Sequence, residues 1–156
     1  MDISYKQFRR SVLETAAPTM EEYGYHVVGE EEKDPQNAIV DFRKHLHPDI
    51  SCIVSFQLML SHIPAVRDFQ VFLSRKRADN SGDGKDEFVY LGMSLRNVLK
   101  GVFNIDISAK RLFEWAFVDE ETLVESLIQA TSYVALNGIL WIEDPKSNMK
   151  WTRLPK

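Results

Sequence analysis

The chain predicts an α+β fold: an antiparallel sheet of about five strands, with N-terminal and C-terminal helices packed on one face. Three features point there. Apolar residues recur at spacings of four and three from Phe8 to Tyr23. After Gly24 the apolar period falls to two and stays there through four or five short segments. From Ser94 onward helical spacing returns.

The opening helix has its start written into it. Ser4 and Gln7 have the S-x-x-Q spacing of a capping box, and Ile3 and Phe8 stand where a hydrophobic staple forms. Phe8, Val12, Ala16, Met20 and Tyr23 then share one face, Pro18 kinks or restarts the helix, and Gly24 stops it. Tyr25 to Gly29 reads as a short strand, followed by an acidic turn, EEEKDPQN. In the second strand Ala38, Val40 and Phe42 alternate with Ile39, Asp41, Arg43 and His45. The turn HLHPD leads to the strongest strand, where Ile50, Cys52, Val54, Phe56, Leu58 and Leu60 alternate with Ser51, Ile53, Ser55, Gln57 and Met59. A fourth strand sets Phe69, Val71 and Leu73 against Gln70, Phe72 and Ser74, and Phe88 to Met93 forms a fifth. Short connections favour antiparallel meander pairing.

Ser94 is an N-cap for a helix carrying Leu95, Val98, Leu99 and Val102. A helical turn is expected from Lys110 to Trp115. Asp119 caps a long helix with a stripe of Leu123, Leu127, Thr131 and Val134, thickened by Val124, Ile128 and Ala135 and ended by Asn137-Gly138. Ile139 to Ile142 reads as a last strand or extended segment. With neither repeat nor linker, residues 1–145 form one domain, and 146–156 form a peripheral basic tail carrying Lys146, Lys150, Arg153 and Lys156.

A chain of 156 residues with 44% hydrophobic and 27% charged residues lies in the ordinary globular range. Its formal charge of −4 and pI near 5.6 argue against general nucleic-acid binding, which needs a basic excess to neutralise phosphates. Charges in MDISYKQFRR are unlike a signal peptide, and no run of apolar residues reads as a membrane span. The single Cys52 fits a reducing, cytoplasmic setting and lies at an apolar parity, as a small hydrophobe rather than a nucleophile.

No motif for a cofactor stands out, and none is expected: the glycines form neither a dinucleotide fingerprint nor a phosphate loop, and there is no G-x-S-x-G elbow. Asp79, Ser81, Asp83 and Gly84 imitate the start of a calcium loop, but Tyr90 stands where the bidentate Glu belongs, so a solvated hairpin loop is the better account. Arg75-Lys76-Arg77 reads as a solvated, edge-protecting cluster, and Glu120, Glu121 and Glu125 as macrodipole partners of the helix they open. His45 and His47 share a parity with Asp49, a weak metal-ligand spacing to which His62 is the nearest other candidate.

The mixed strand face is the most informative surface. Asp41, Arg43, Ser55, Gln57, Gln70 and Ser74 share it with Ile39, Ile53, Met59 and Phe72, an arrangement less cleanly polar than a solvent face. Either a helix or the tail covers part of it, or it is a shallow groove with an apolar floor and polar walls.

The order of elements resembles a family of short bacterial proteins catalogued as a domain of unknown function. The resemblance rests on Gly24-Tyr25, on Phe113-Glu114-Trp115-Ala116-Phe117, on the helix DEETLVESLIQATSYVALNG and on Leu140-Trp141-Ile142-Glu143, and spans about residues 5–145. It departs at the long acidic loop between Arg75 and Glu87 and at the basic tail. It implies the α+β arrangement and brings no catalytic residues.

The expected function is therefore a non-enzymatic cytoplasmic binding protein, engaging a protein or small-molecule partner through Asp41, Arg43, His45, Gln57, Gln70 and Phe72. Aromatics of exposed parity, Phe72 and Trp141, add to the motive. An acidic chain of this kind suits neutralising or chaperoning a basic protein. The alternative is a metal-dependent enzyme using His45 and His47. A third reading is an acidic secretion-type chaperone that works as a homodimer.

Overall fold

A computed structural model describes residues 3–28, 39–59, 67–79, 87–107, 115–144 and 152–153. The elements run α1 (Tyr5–Thr15), α2 (Ala17–Glu22), β1 (His26–Val28), β2 (Ile39–His47), β3 (Ile50–Met59), β4 (Arg67–Asp79), β5 (Glu87–Ser94), α3 (Leu95–Phe103), β6 (Trp115–Phe117), α4 (Glu120–Tyr133), a π-helical turn (Val134–Gly138), α5 (Ile139–Glu143) and β7 (Thr152–Arg153). The sheet is antiparallel throughout, in the order β1-β2-β3-β4-β5-β7, with β6 also on β4. The α+β arrangement follows the alternation of the sequence.

Local chemistry sets the helix ends. The Ser4 hydroxyl accepts from the Gln7 amide at 3.2 Å while the Gln7 side chain accepts from the Ser4 amide at 2.8 Å, so both halves of the capping box form. Pro18 sits in the first turn of α2, where its missing N–H is harmless, and a new helix begins there. Gly24 takes φ +87°, and the Tyr25 amide reaches back to the Met20 carbonyl at 2.9 Å. Asn104 ends α3 in the same left-handed region. Asp119 caps α4 by accepting from the Thr122 amide at 2.8 Å, and that bond together with the Thr122 hydroxyl holds its carboxyl below the usual range.

Packing places every long element on one side of the sheet. Val40, Phe42, Cys52, Val54, Phe56, Phe69, Val71 and Leu73 face Phe8, Val12 and Met20 of the N-terminal helices and Leu123, Leu127, Val134 and Ile142 of the C-terminal ones. Phe69 is the hub: its ring lies 6.0 Å from Phe8, 6.3 Å from Phe56, 6.4 Å from Phe117 and stacks at 6.2 Å on Trp115. Phe56 also meets Phe42 edge-on at 5.8 Å.

Several expectations need correction. Asn137-Gly138 does not end the long helix. A π turn carries the chain through to α5, so Ile139 to Ile142 is helical rather than extended. Gly138 lies where an added Cβ would come within 3.1 Å of Leu73, so the glycine serves close approach to the sheet. Trp141 is buried, since the π turn rotates it inward, and Ile128 leaves the core stripe for solvent. Trp115 opens the strand β6, which pairs with β4; the rest of the expected turn, 110–114, lies outside the described residues. Within the expected tail, Thr152 and Arg153 pair with Tyr90 and Val89 at the sheet edge. The helix from Glu120 to Glu143 has 24 residues, long and apolar enough to cross a membrane, but its Leu123, Leu127, Ala130, Val134 and Ile142 are buried in the core. The loop at 80–84 falls outside the described residues.

Since Phe56 is fully buried between two other rings, Phe56→Ala will lower unfolding free energy by about 3–5 kcal/mol. Denaturant melts of the two proteins measure this directly, and an unchanged midpoint contradicts the strand parity.

Candidate functional site

Hydrogen-bond register fixes the neighbours on the face of the sheet away from the helices. Ile39, Gln57 and Gln70 form one cross-strand row; Asp41, Ser55 and Phe72 the next; Arg43, Ile53 and Ser74 a third. Five of the expected binding residues, Asp41, Arg43, Gln57, Gln70 and Phe72, therefore share one surface, each half-buried. Ser55 donates to the Asp41 carboxylate, locking that pair. Arg43 keeps its Nε enclosed and without a hydrogen bond among the described residues. Ile53 and Ser74 are buried at the centre of the face, so its middle is shielded from solvent rather than flat and solvated.

One residue that sequence reasoning passed over belongs here. Asp68 lies opposite Met59 on β3 and Ala116 on β6, two positions before Gln70 on the same strand. Its parity with Gln70, Phe72 and Ser74 was the available signal. Only 8% of it is exposed, and burial pushes its carboxyl above the usual range.

The sixth expected residue, His45, is exposed towards the end of the sheet, with Nδ1 3.0 Å from the Ser51 hydroxyl. His47 lies across a register shift and approaches Asp49 at 3.8 Å. The irregularity interrupts the shared parity on which joint metal binding was considered. His26, on β1, pairs with Arg43 and is nearer to this region in the sheet than the sequence indicated, whereas His62 lies outside the described residues. Among the described residues, no group of three His, Cys, Asp or Glu side chains is placed to hold a metal ion.

A second surface runs along the long C-terminal helix. Ile128, Leu136 and Leu140 are 56%, 66% and 64% exposed and recur at multiples of four. Beside them an open groove of about 810 Å³ is lined by Ala116, Glu125, Ser126, Gln129, Tyr133 and Leu136. Ser126 donates to the Ala116 carbonyl at 2.8 Å, tying α4 to β6 along the groove floor. Glu121 and Glu125 make the start of this helical surface acidic.

At the end of α5 a buried polar cluster joins helix to sheet. Arg75 is 95% buried and donates to the carbonyls of Ile142 at 3.2 Å and Asp144 at 3.1 Å, satisfying helix C-terminal acceptors with a cation. It faces the core from a central strand, so the expected solvated role fails for Arg75. The Cys52 thiol points to the same Ile142 carbonyl at 3.7 Å and lies beside the Tyr25 hydroxyl. Lys44 bonds Glu143 at 2.6 Å and stands 5.7 Å over the Tyr25 ring. Burial makes both the Tyr25 hydroxyl and the Cys52 thiol weaker acids, with the thiol pKa pushed up to about 11. These contacts fasten α5; they present no nucleophile.

No family model, curated protein or solved structure matches the chain.

The thiolate is the reactive form of cysteine, and both its scarcity and its burial protect Cys52. At mildly alkaline pH native protein will therefore react with iodoacetamide about a hundredfold or more slowly than protein unfolded in urea, as read by intact-mass spectrometry. Comparable rates contradict the buried cluster.

Proposed function

We propose that this chain is a cytoplasmic binding protein that docks a basic, amphipathic segment of a protein partner along α4 and α5. The observation that carries the reading is the apolar row Ile128, Leu136 and Leu140, left in solvent on a helix whose opposite face is fully used by the core. Large exposed apolar side chains gathered along one helical element, with Ile128 and Leu136 on one groove, support an interaction surface, in contrast to apolar residues scattered singly. Their acidic border at Glu121 and Glu125, together with a net charge of −4, favours a cationic partner over an anionic one. The groove beside the row supplies concavity, and its Tyr133 an aromatic wall.

Nothing in this reading requires chemistry at the docking surface. Binding energy would come from burying the aliphatic row, with the carboxylates steering approach and setting orientation. The free cysteine, enclosed by the α5 cluster, is consistent with a reducing compartment.

A synthetic amphipathic peptide of about five helical turns, built from leucine and lysine, provides a defined probe. Isothermal titration will show binding that weakens with salt, falls about tenfold or more in Leu136→Asp, and is absent for the same peptide with glutamate in place of lysine. Equal binding of the acidic peptide, or full affinity in Leu136→Asp, overturns the proposal. Light scattering of the free protein adds a further arm: a dimer broken by Leu136→Asp would show that a second copy, and not a basic partner, covers the row.

A further inference from the structure

We propose that the face of the sheet away from the described helices holds a separate binding site centred on Asp68, which takes the guanidinium of an arginine on an extended segment of a protein partner. Asp68 is more than nine-tenths buried, yet its side chain makes no hydrogen bond or ion pair among the described residues. About 8% of the residue stays exposed, so it is recessed rather than sealed. A buried carboxylate without a partner costs stability, and structural carboxylates are normally paired. Burial alone accounts for the upward displacement of its pKa, in agreement with the absence of a compensating cation.

The neighbours match a guanidinium. Gln70 lies two residues along the same strand, and Gln57 is its cross-strand partner on the same face. Neither side-chain amide has a hydrogen-bond partner among the described residues, so two carbonyl oxygens stand ready to accept beside the carboxylate. Met59, directly opposite Asp68, offers a soft apolar contact for a flat, weakly hydrated cation. A metal ion is less well served: one carboxylate and two amides provide too few charged donors, whereas a guanidinium needs one carboxylate and has five N–H groups to distribute. Further along β4, Phe72 supplies the next apolar contact two residues beyond Gln70, matching the alternation of an extended peptide laid along the strand.

This site lies on a different surface from the α4 row, and neither depends on the other. The test uses a blocked Val-Arg-Val peptide and its citrulline counterpart, which keeps the shape and loses the charge. On titration, the amide resonances of Gln57, Met59, Asp68 and Gln70 will shift with the arginine peptide and not with the citrulline one, and the Asp68 carboxyl will titrate at lower pH when the peptide is bound. Asp68→Asn will lose about tenfold or more in affinity while melting higher than wild type near neutral pH. The sign follows from the raised pKa: the penalty for the ionised carboxyl is present above the folded-state pKa and vanishes below the unfolded-state value, so the gain in melting temperature disappears in acid. Leu136→Asp will leave the peptide titration unchanged. Retention of affinity in Asp68→Asn, equal binding of citrulline, or a lower melting point for Asp68→Asn overturns the assignment.

Discussion

The molecule depends on the length of β4. This strand gives one edge to β3 from Asp68 to Arg77 and divides its other edge between two partners, β6 at Arg67–Phe69 and β5 at Phe72–Asp79. The division is possible because β5 leaves the sheet at Ser94, whose hydroxyl at once caps α3 by accepting from the Asn97 amide at 3.2 Å. The space so vacated admits β6, and with it the Trp115 and Phe117 rings that close around Phe69. At its other end β4 places Arg75 under the carbonyls that finish α5. One strand thus sets the sheet order, the aromatic centre and the anchoring of the last helix.

Much of this was legible in residue order, because the rules involved are local. A serine three residues before a glutamine, a glycine after a helical stripe, and the alternation within each of the strands that carry Val40, Val54 and Val71 each require only a few neighbours to be read. Where expectation failed, a distant contact had overruled a local one. Asn137-Gly138 is an ordinary helix ending until Leu73 is known to press against Gly138, 65 positions away in sequence. Arg75 belongs to a basic run that looks solvated until α5 supplies acceptors for it. Trp141 was assigned to the surface because Ile139 to Ile142 reads as an extended segment with its parity counted in twos, whereas the chain stays helical there.

The candidate sites divide along the same line. Asp41, Arg43, Gln57, Gln70 and Phe72 share a face because side-chain parity in strands is a local property, and the register brings them together as expected. His45 and His47 separate because a register shift falls between them, which composition could not reveal. Asp68 escaped notice because an acidic residue at a strand start looks like an ordinary solvated terminus. Its burial, and the strand β6 that pairs beside it, are tertiary facts that the local sequence does not carry. Exposure of Ile128 is likewise a tertiary outcome, since a helix has two faces and sequence alone did not say which residues at the margin of the stripe would be left over.

The five-residue π turn has a consequence for how this helix tolerates change. A wider turn holds one more residue than α-helical geometry would, so it acts as a phase shift between the part of the helix docked by Leu123 and Leu127 and the part docked by Trp141 and Ile142. Shortening the turn by one residue would rotate everything beyond it by about 100° about the helix axis, turning the Trp141 side out towards water and drawing the Cys52 and Arg75 acceptor away from its donors. The backbone irregularity, more than any single side chain, is what lets one continuous helix keep both anchors seated at once.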